Sequence, residues 1–310
     1  MSNMLFEKTL NEKHIAIWPQ FEKLYHLVLK NQTHDGDLLL VHINGYYDPK
    51  VHTWDNIKEK LSPYMFGRNN DGFAEHTHYD FIGHYIKENT WDEDPEEYLK
   101  KFIFSEERRN EIEELEFKEA ISIQTEMLIY IKIWESDTFI KKFSQLTSLL
   151  SGESYDWHLN LSGIGKKAFT SRSIFIKDRI IKRLQNLIPD LHSTFEKSYL
   201  TQIRNAIAHS QYSILGRRIQ LNNFKKDSLS SNLRGLTMDE WSDIFHETIV
   251  LYTCYHKFLR LVNANYGTVA KQNSGWFPIR ITRKDPIEET QYLPIYYGDF
   301  FEKWNWQPEQ

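Results

Sequence analysis

The 310-residue chain holds a single cysteine, Cys254, so no internal disulfide can form and the sequence predicts a reducing, cytoplasmic setting. Proline and glycine are sparse, at 9 and 13 residues. No segment repeats at a fixed period, which excludes collagen-like, low-complexity and solenoid architectures. No apolar run approaches the roughly 20 residues that a bilayer-spanning helix needs, so no membrane partner is expected. The N-terminal stretch MSNMLFEKTLNEKH mixes charge into its apolar positions and lacks the apolar core of a signal peptide. What is present is an ordinary folded composition, 40% hydrophobic and 26% charged. It can bury a substantial core in two domains or one elaborated domain.

The net charge of -5 conceals an uneven distribution. Residues 1–160 carry 17 Lys+Arg against 29 Asp+Glu, whereas residues 161–234 carry 14 Lys+Arg and only Asp178, Asp190, Glu196 and Asp227 as acids. A basic block inside an acidic chain points to a phosphate-bearing partner for the middle of the protein. The plainer alternative is a solvated face or an internal partner for the acidic part.

Hydrophobic spacing divides the chain into three stretches. Residues 1–104 read as a smaller α/β accessory or sensing region. In it Trp18–Leu29 is an amphipathic helix with Phe21, Leu24, Tyr25 and Val28 on one face. Asp37–Ile43 is a β-type run closed by Asn44-Gly45, and Asp92–Glu97 is an acidic connector. Residues 105–266 read as a helical bundle. The first helix runs from about Ser105 to Glu135, with Ile112, Leu115, Ala120, Ile123, Met127, Leu128 and Ile131 apolar and glutamates on the opposite face. Ser136 or Asp137 caps the next, Thr138–Leu150. A third spans Ser171–Ile188 and ends at Pro189. A fourth opens at the capping box Ser193–Glu196 and carries Phe195, Tyr199, Ile203 and Ile207 on its buried face. A hairpin follows, Tyr212–Ile214 and Arg218–Leu221 around Leu215-Gly216-Arg217. The fifth helix opens at the box Thr237–Glu240 and runs to Gly267. Residues 267–310, rich in proline and aromatics, form a strand/loop C-terminal tail. The fold expected is mainly α.

One segment carries chemistry: Arg204-Asn205-Ala-Ile-Ala-His209 at the end of the fourth helix, inside the basic block. An Arg followed by His four to six positions later occurs by chance roughly once or twice in such a composition. Specificity comes from the adjacent Asn205, the small residues Ala206 and Ala208, and the helical surroundings. The segment resembles the signature of the HEPN ribonuclease family, R-x4-6-H with a polar residue after the arginine, over about residues 105–266. Tyr212 stands one position later than the tyrosine that follows the motif in some members. The resemblance implies a HEPN-like helical bundle, a homodimer with its active site at the interface, and a toxin or anti-phage defence role, with an antitoxin or regulatory partner.

The residue types suit that chemistry by themselves. RNA is cut without metal when its own 2′-OH attacks the neighbouring phosphate, so no cofactor is expected. An imidazole with an ordinary pKa near 6.5 moves the protons, which assigns acid/base work to His209. The permanently charged fork of Arg204 stabilises the phosphorane, and Asn205 orients by a neutral hydrogen bond. Arg204 and His209 lie five positions apart, about 140° around a helix and about 7.5 Å along it. A composite cleft between two copies would bring them together. Tyr212, Arg217, Arg218, Lys225 and Lys226 are the candidate RNA contacts. The alternative is a non-catalytic RNA-binding or scaffold module, in which Arg204 pairs with an acid and His209 merely ends the helix.

Other signals are weaker. His76, His78 and His84 with Asp80 have spacings that can bind a divalent metal, but the aromatics among them favour packing. Gly163-Ile-Gly165-Lys166-Lys167 lacks the spacing of a phosphate-cradling loop. Trp276-Phe277 and Trp304-Asn-Trp306 can stack bases or pack the tail, and Cys254 reads as core.

Overall fold

The computed structural model describes residues 5–47, 64–65, 73–159, 161, 171–226, 232–282, 290–299 and 302–306. In chain order the elements are β1 (Leu5–Phe6), α1 (Glu7–Asn31), α2 (Asp37–Ile43), β2 (Tyr46–Tyr47), β3 (Tyr64–Met65), α3 (Phe73–Asn89), β4 (Thr90–Trp91) and α4 (Pro95–Lys100). A 3-10 turn, Glu106–Arg108, leads into α5 (Arg109–Trp134), followed by α6 (Asp137–Leu150), α7 (Arg172–Ile176), a π-helical segment Lys177–Ile181, and α8 (Lys182–Leu184). Then come α9 (Pro189–Ser198), α10 (Thr201–Ala208), β5 (Tyr212–Leu215), β6 (Arg218–Leu221), β7 (Gly235–Thr237), α11 (Met238–Gln272), β8 (Trp276–Thr282), β9 (Thr290–Gly298) and β10 (Lys303–Trp306). The fold is mainly α with a strand-rich C-terminal region.

The chain forms two compact units, each assembled from three stretches. The first comprises Met1–Gln20, His78–Ser136 and Pro189–Cys254; the second comprises Phe21–Thr77, Asp137–Ile188 and Tyr255–Gln310. This partition cuts across the contiguous stretches 1–104, 105–266 and 267–310.

In the first unit, aromatic rings form the centre. Trp134 of α5 meets Phe195 of α9 edge-on and lies 4.8 Å from Tyr199, while Tyr130 meets Trp241 of α11 at 5.5 Å. Offset and edge-on ring pairs of this kind stabilise beyond the area they bury. The hairpin β5–β6 forms as expected and takes β7 as a third, antiparallel strand. The box at Thr237 also forms: its Oγ1 accepts from the Glu240 N–H at 3.1 Å, and the Glu240 carboxylate accepts from the Thr237 N–H at 2.7 Å.

The second unit buries Phe21, Leu24 and Val28 of α1 as expected, together with α2, α6 and the later turns of α11. The antiparallel sheet β8–β9–β10 contributes Phe277, Ile279, Ile281 and Ile295 to its core. Gly36, at φ +96°, precedes α2; a Cβ there would fall 2.7 Å from the Phe277 ring. Only glycine allows that approach and that dihedral.

Several local expectations change. Asp37–Ile43 is a helix, not a strand. Leu38, Leu39, Leu40, Val41 and Ile43 are all buried, and an element covered on every side has no period to distinguish the two. Asn44 at φ 51° closes it with a left-handed C-cap. The helix expected from Trp18 begins at Glu7, and that expected to end at Gly267 runs to Gln272. Asp94, inside the acidic connector, caps α4 by accepting from the Glu96 N–H at 2.9 Å. The Ser171–Ile188 helix is interrupted by the π segment. Ser193–Glu196 lies inside α9, which Pro189 opens, and the chain breaks again at extended Leu200 before α10. On α5, Glu119 and Glu126 are fully buried, not solvated.

Candidate active site

Helix α10 is eight residues long and presents the Arg204–His209 segment at its C-terminal end. Its start is set by Leu200, whose N–H donates to the buried Tyr130 hydroxyl at 3.1 Å. Ile203 and Ala206 anchor its inner face in the core. Arg204 and Asn205 therefore fall on a half-buried flank, and His209 falls on the exposed end.

The helix stops by a backbone device. His209 is the C-cap, its N–H donating to the Asn205 carbonyl at 3.1 Å. Ser210 adopts the left-handed region at φ 52°. Its N–H reaches the Ile207 carbonyl at 3.1 Å, and the Gln211 N–H reaches the Ala206 carbonyl at 2.7 Å. This pair of bonds is a Schellman closure with serine where glycine is usual. It fixes the backbone that carries His209 and turns the chain into β5.

Arg204 is held on two sides. Nη1 donates to Asn205 Oδ1 at 2.6 Å, and Nε is ion-paired with the carboxylate of Glu135, the C-cap of α5. The arginine side chain is 17% exposed. Asn205 thus accepts from the guanidinium of Arg204, whereas the sequence reading has it hold the histidine or the substrate. Glu135, the ion-pair partner of Arg204, is not marked by sequence reasoning, because it lies 69 positions earlier and on another helix.

The expected RNA contacts separate into two groups. Arg218, Lys225 and Lys226 are exposed, and Tyr212 is half-buried on β5. Arg217 instead turns inward. Its Nε donates to Glu119 Oε2 at 3.0 Å, Nη2 reaches Glu119 Oε1 at 3.2 Å and Asp239 at 2.8 Å, and the guanidinium lies 4.2 Å from the Phe102 ring centroid. Tyr98 donates to the same Glu119 at 2.8 Å. Two carboxylates neutralise this guanidinium, so little charge remains for a phosphate. Burial pushes the Glu119 carboxyl up, against the opposing pull of Arg217 and Tyr98. Nearby, Glu126 accepts from Trp241 Nε1 at 2.7 Å.

The remaining candidates do not gather into a second constellation. His76, Asp80 and His84 follow one another at four-residue spacing on α3. Among the described residues, no group of three or more His, Cys, Asp or Glu could hold a metal ion. Gly163, Gly165, Lys166 and Lys167 lie outside the described residues. Trp304 packs against Phe277 and Tyr297 and donates to Asn263 at 3.0 Å, and Trp276 meets Tyr296 edge-on. Cys254 is buried. No helix among the described residues is long and apolar enough to cross a membrane. Comparison with protein-family models, with curated proteins and with solved structures gives no match.

Proposed function

We propose that this chain is a metal-independent endoribonuclease acting as a homodimer, a toxin or anti-phage defence effector in the manner the family resemblance implies. The observation that carries the reading is the helix end itself. A guanidinium oriented by Asn205 and Glu135 sits on the same short helix as an imidazole presented to solvent at a rigid C-cap.

In the proposed reaction the RNA 2′-OH loses its proton to a base as its oxygen attacks phosphorus. The P–O5′ bond breaks, and the departing oxygen takes a proton. A 2′,3′-cyclic phosphate and a 5′-hydroxyl result. His209 serves one of the two proton transfers. Arg204 spreads its charge over the phosphorane oxygens through its planar donors. Arg218, Lys225 and Lys226 hold flanking phosphates and set position, not sequence.

A second reading, a non-catalytic RNA-binding module, is favoured by the Glu135 pair, which already occupies one edge of Arg204. Incubation of the full chain with RNA in EDTA separates the two. The nuclease reading expects cutting that persists without divalent ions and disappears in Arg204→Ala and in His209→Ala. Binding with no cutting, or cutting that survives both substitutions, contradicts it.

A further inference from the structure

The first unit holds a cleft of about 170 Å³ that takes no part in the proposed RNA cleavage. Phe6 of β1 and Pro95, Tyr98 and Leu99 of α4 form its apolar walls, and His246 of α11 lines it as well. The His246 Nε2 accepts from the Phe6 N–H at 3.0 Å, and its Nδ1 donates to the Ser242 carbonyl at 2.6 Å. The ring stacks parallel to Phe6 at 6.0 Å. Burial pushes this imidazole down to about 4. It is a neutral wall with both nitrogens occupied, not a base.

Volume and charge define what fits. An apolar cavity of about 150 Å³ admits benzene, so this cleft takes a single aromatic ring. The charged side chains that line it are both carboxylates, Asp239 and Asp243, one helical turn apart on α11 and 49% and 61% exposed. Each shares its cation with a second acid. Arg217 gives Nε and Nη2 to the buried Glu119 as well as Nη2 to Asp239, and Lys13 is divided between Asp243 and Glu247. Lys197 reaches Glu247 only at 4.0 Å. Four carboxylates thus draw on two close cations, and a negative balance remains beside the cleft.

We infer that this cleft binds a primary arylalkylamine, its ring held between Phe6, Tyr98 and Leu99 and its ammonium between Asp239 and Asp243. Residues four apart on a helix carry Cβ atoms about 5–6 Å apart, so one ammonium with its three donors bridges both carboxylates. An anion of the same shape meets like charge. A neutral isostere keeps the apolar contact and loses the ion pair. The inference stands on the cleft and its carboxylates, independently of the RNA-cleaving reading.

Calorimetric titration of the full chain at neutral pH with phenethylamine, 2-phenylethanol and 3-phenylpropionate tests this. The amine is expected to bind once per chain with a Kd of about 1 mM or tighter. The alcohol should bind about tenfold more weakly, and the acid not at all. Asp243→Asn, at an exposed position, should weaken the amine about fivefold and leave the alcohol unchanged. Leu99→Trp should block both by filling the cleft, with circular dichroism to establish that each variant is folded. Amine binding that does not saturate by about 10 mM overturns the inference. So does equal affinity for the three probes, or amine binding left unchanged by either substitution.

Discussion

Arg217→Ala is the perturbation whose cost follows most directly from the structure. Glu119 has no exposed surface, and its carboxylate is shared between two Arg217 nitrogens and the Tyr98 hydroxyl. Removing the guanidinium leaves a buried charge with one neutral partner, a change that costs about 3–5 kcal/mol. The pH dependence has a definite sign. Burial already raises the Glu119 carboxyl, and the loss of Arg217 raises it further. A carboxyl raised in the folded state stabilises at low pH, and that contribution is lost as pH rises through the folded value. The deficit of Arg217→Ala should therefore be larger at pH 8 than at pH 5. Urea unfolding at both pH values measures it. Replacing the pair together, as Glu119→Leu with Arg217→Met, should recover most of the loss, because no charge then remains buried. A deficit below about 1 kcal/mol, or one flat with pH, would refute the assignment of Arg217 to the core network.

Three other outcomes follow. Glu135→Gln keeps an acceptor beside Arg204 but removes a negative charge near the proposed phosphate; at about 7 Å and an effective dielectric constant of about 40 this is worth about 1 kcal/mol. The KM for RNA should fall about fivefold in steady-state cleavage, and a rise would contradict the proposed phosphate position. Ser210→Gly relieves the left-handed C-cap and should add about 0.5–1 kcal/mol in thermal unfolding; destabilisation would contradict the strain assigned there. Asp37, 2% exposed, is pushed up to about 6 by burial, partly offset by the Tyr155 N–H, Arg280 and Thr33. Its ionisation opposes folding above that value, so Asp37→Asn should stabilise the protein by about 3 kcal/mol at pH 8 and by little at pH 4. Equal effects at the two pH values would exclude that account.

What the sequence discloses depends on how far apart the interacting groups lie. The Thr237–Glu240 box is complete within four residues, and the hairpin around Gly216 is set by its own turn, so both are legible. The box at Ser193 has the same letters, yet Pro189 opens the helix earlier and the signal falls inside it. Asp37–Ile43 misleads because burial on every side erases its period. Glu119 and Glu126 look like a solvated face because their partners, Arg217 and Trp241, lie 98 and 115 positions away. Arg204, Asn205 and His209 are readable as a set because six consecutive positions carry them. The Glu135 contact is not, since nothing local marks a helix-ending carboxylate as the neighbour of a later arginine.

The central claim is that the RNA supplies its own nucleophile, with Arg204 and His209 assisting. It is tested most directly by a cleaved RNA in which the 2′-OH at the scissile nucleotide is replaced by hydrogen. The account predicts that this substrate stays intact while still competing for binding, and that the unmodified RNA yields 2′,3′-cyclic phosphate ends. Cutting of the 2′-deoxy substrate at the same bond would contradict it.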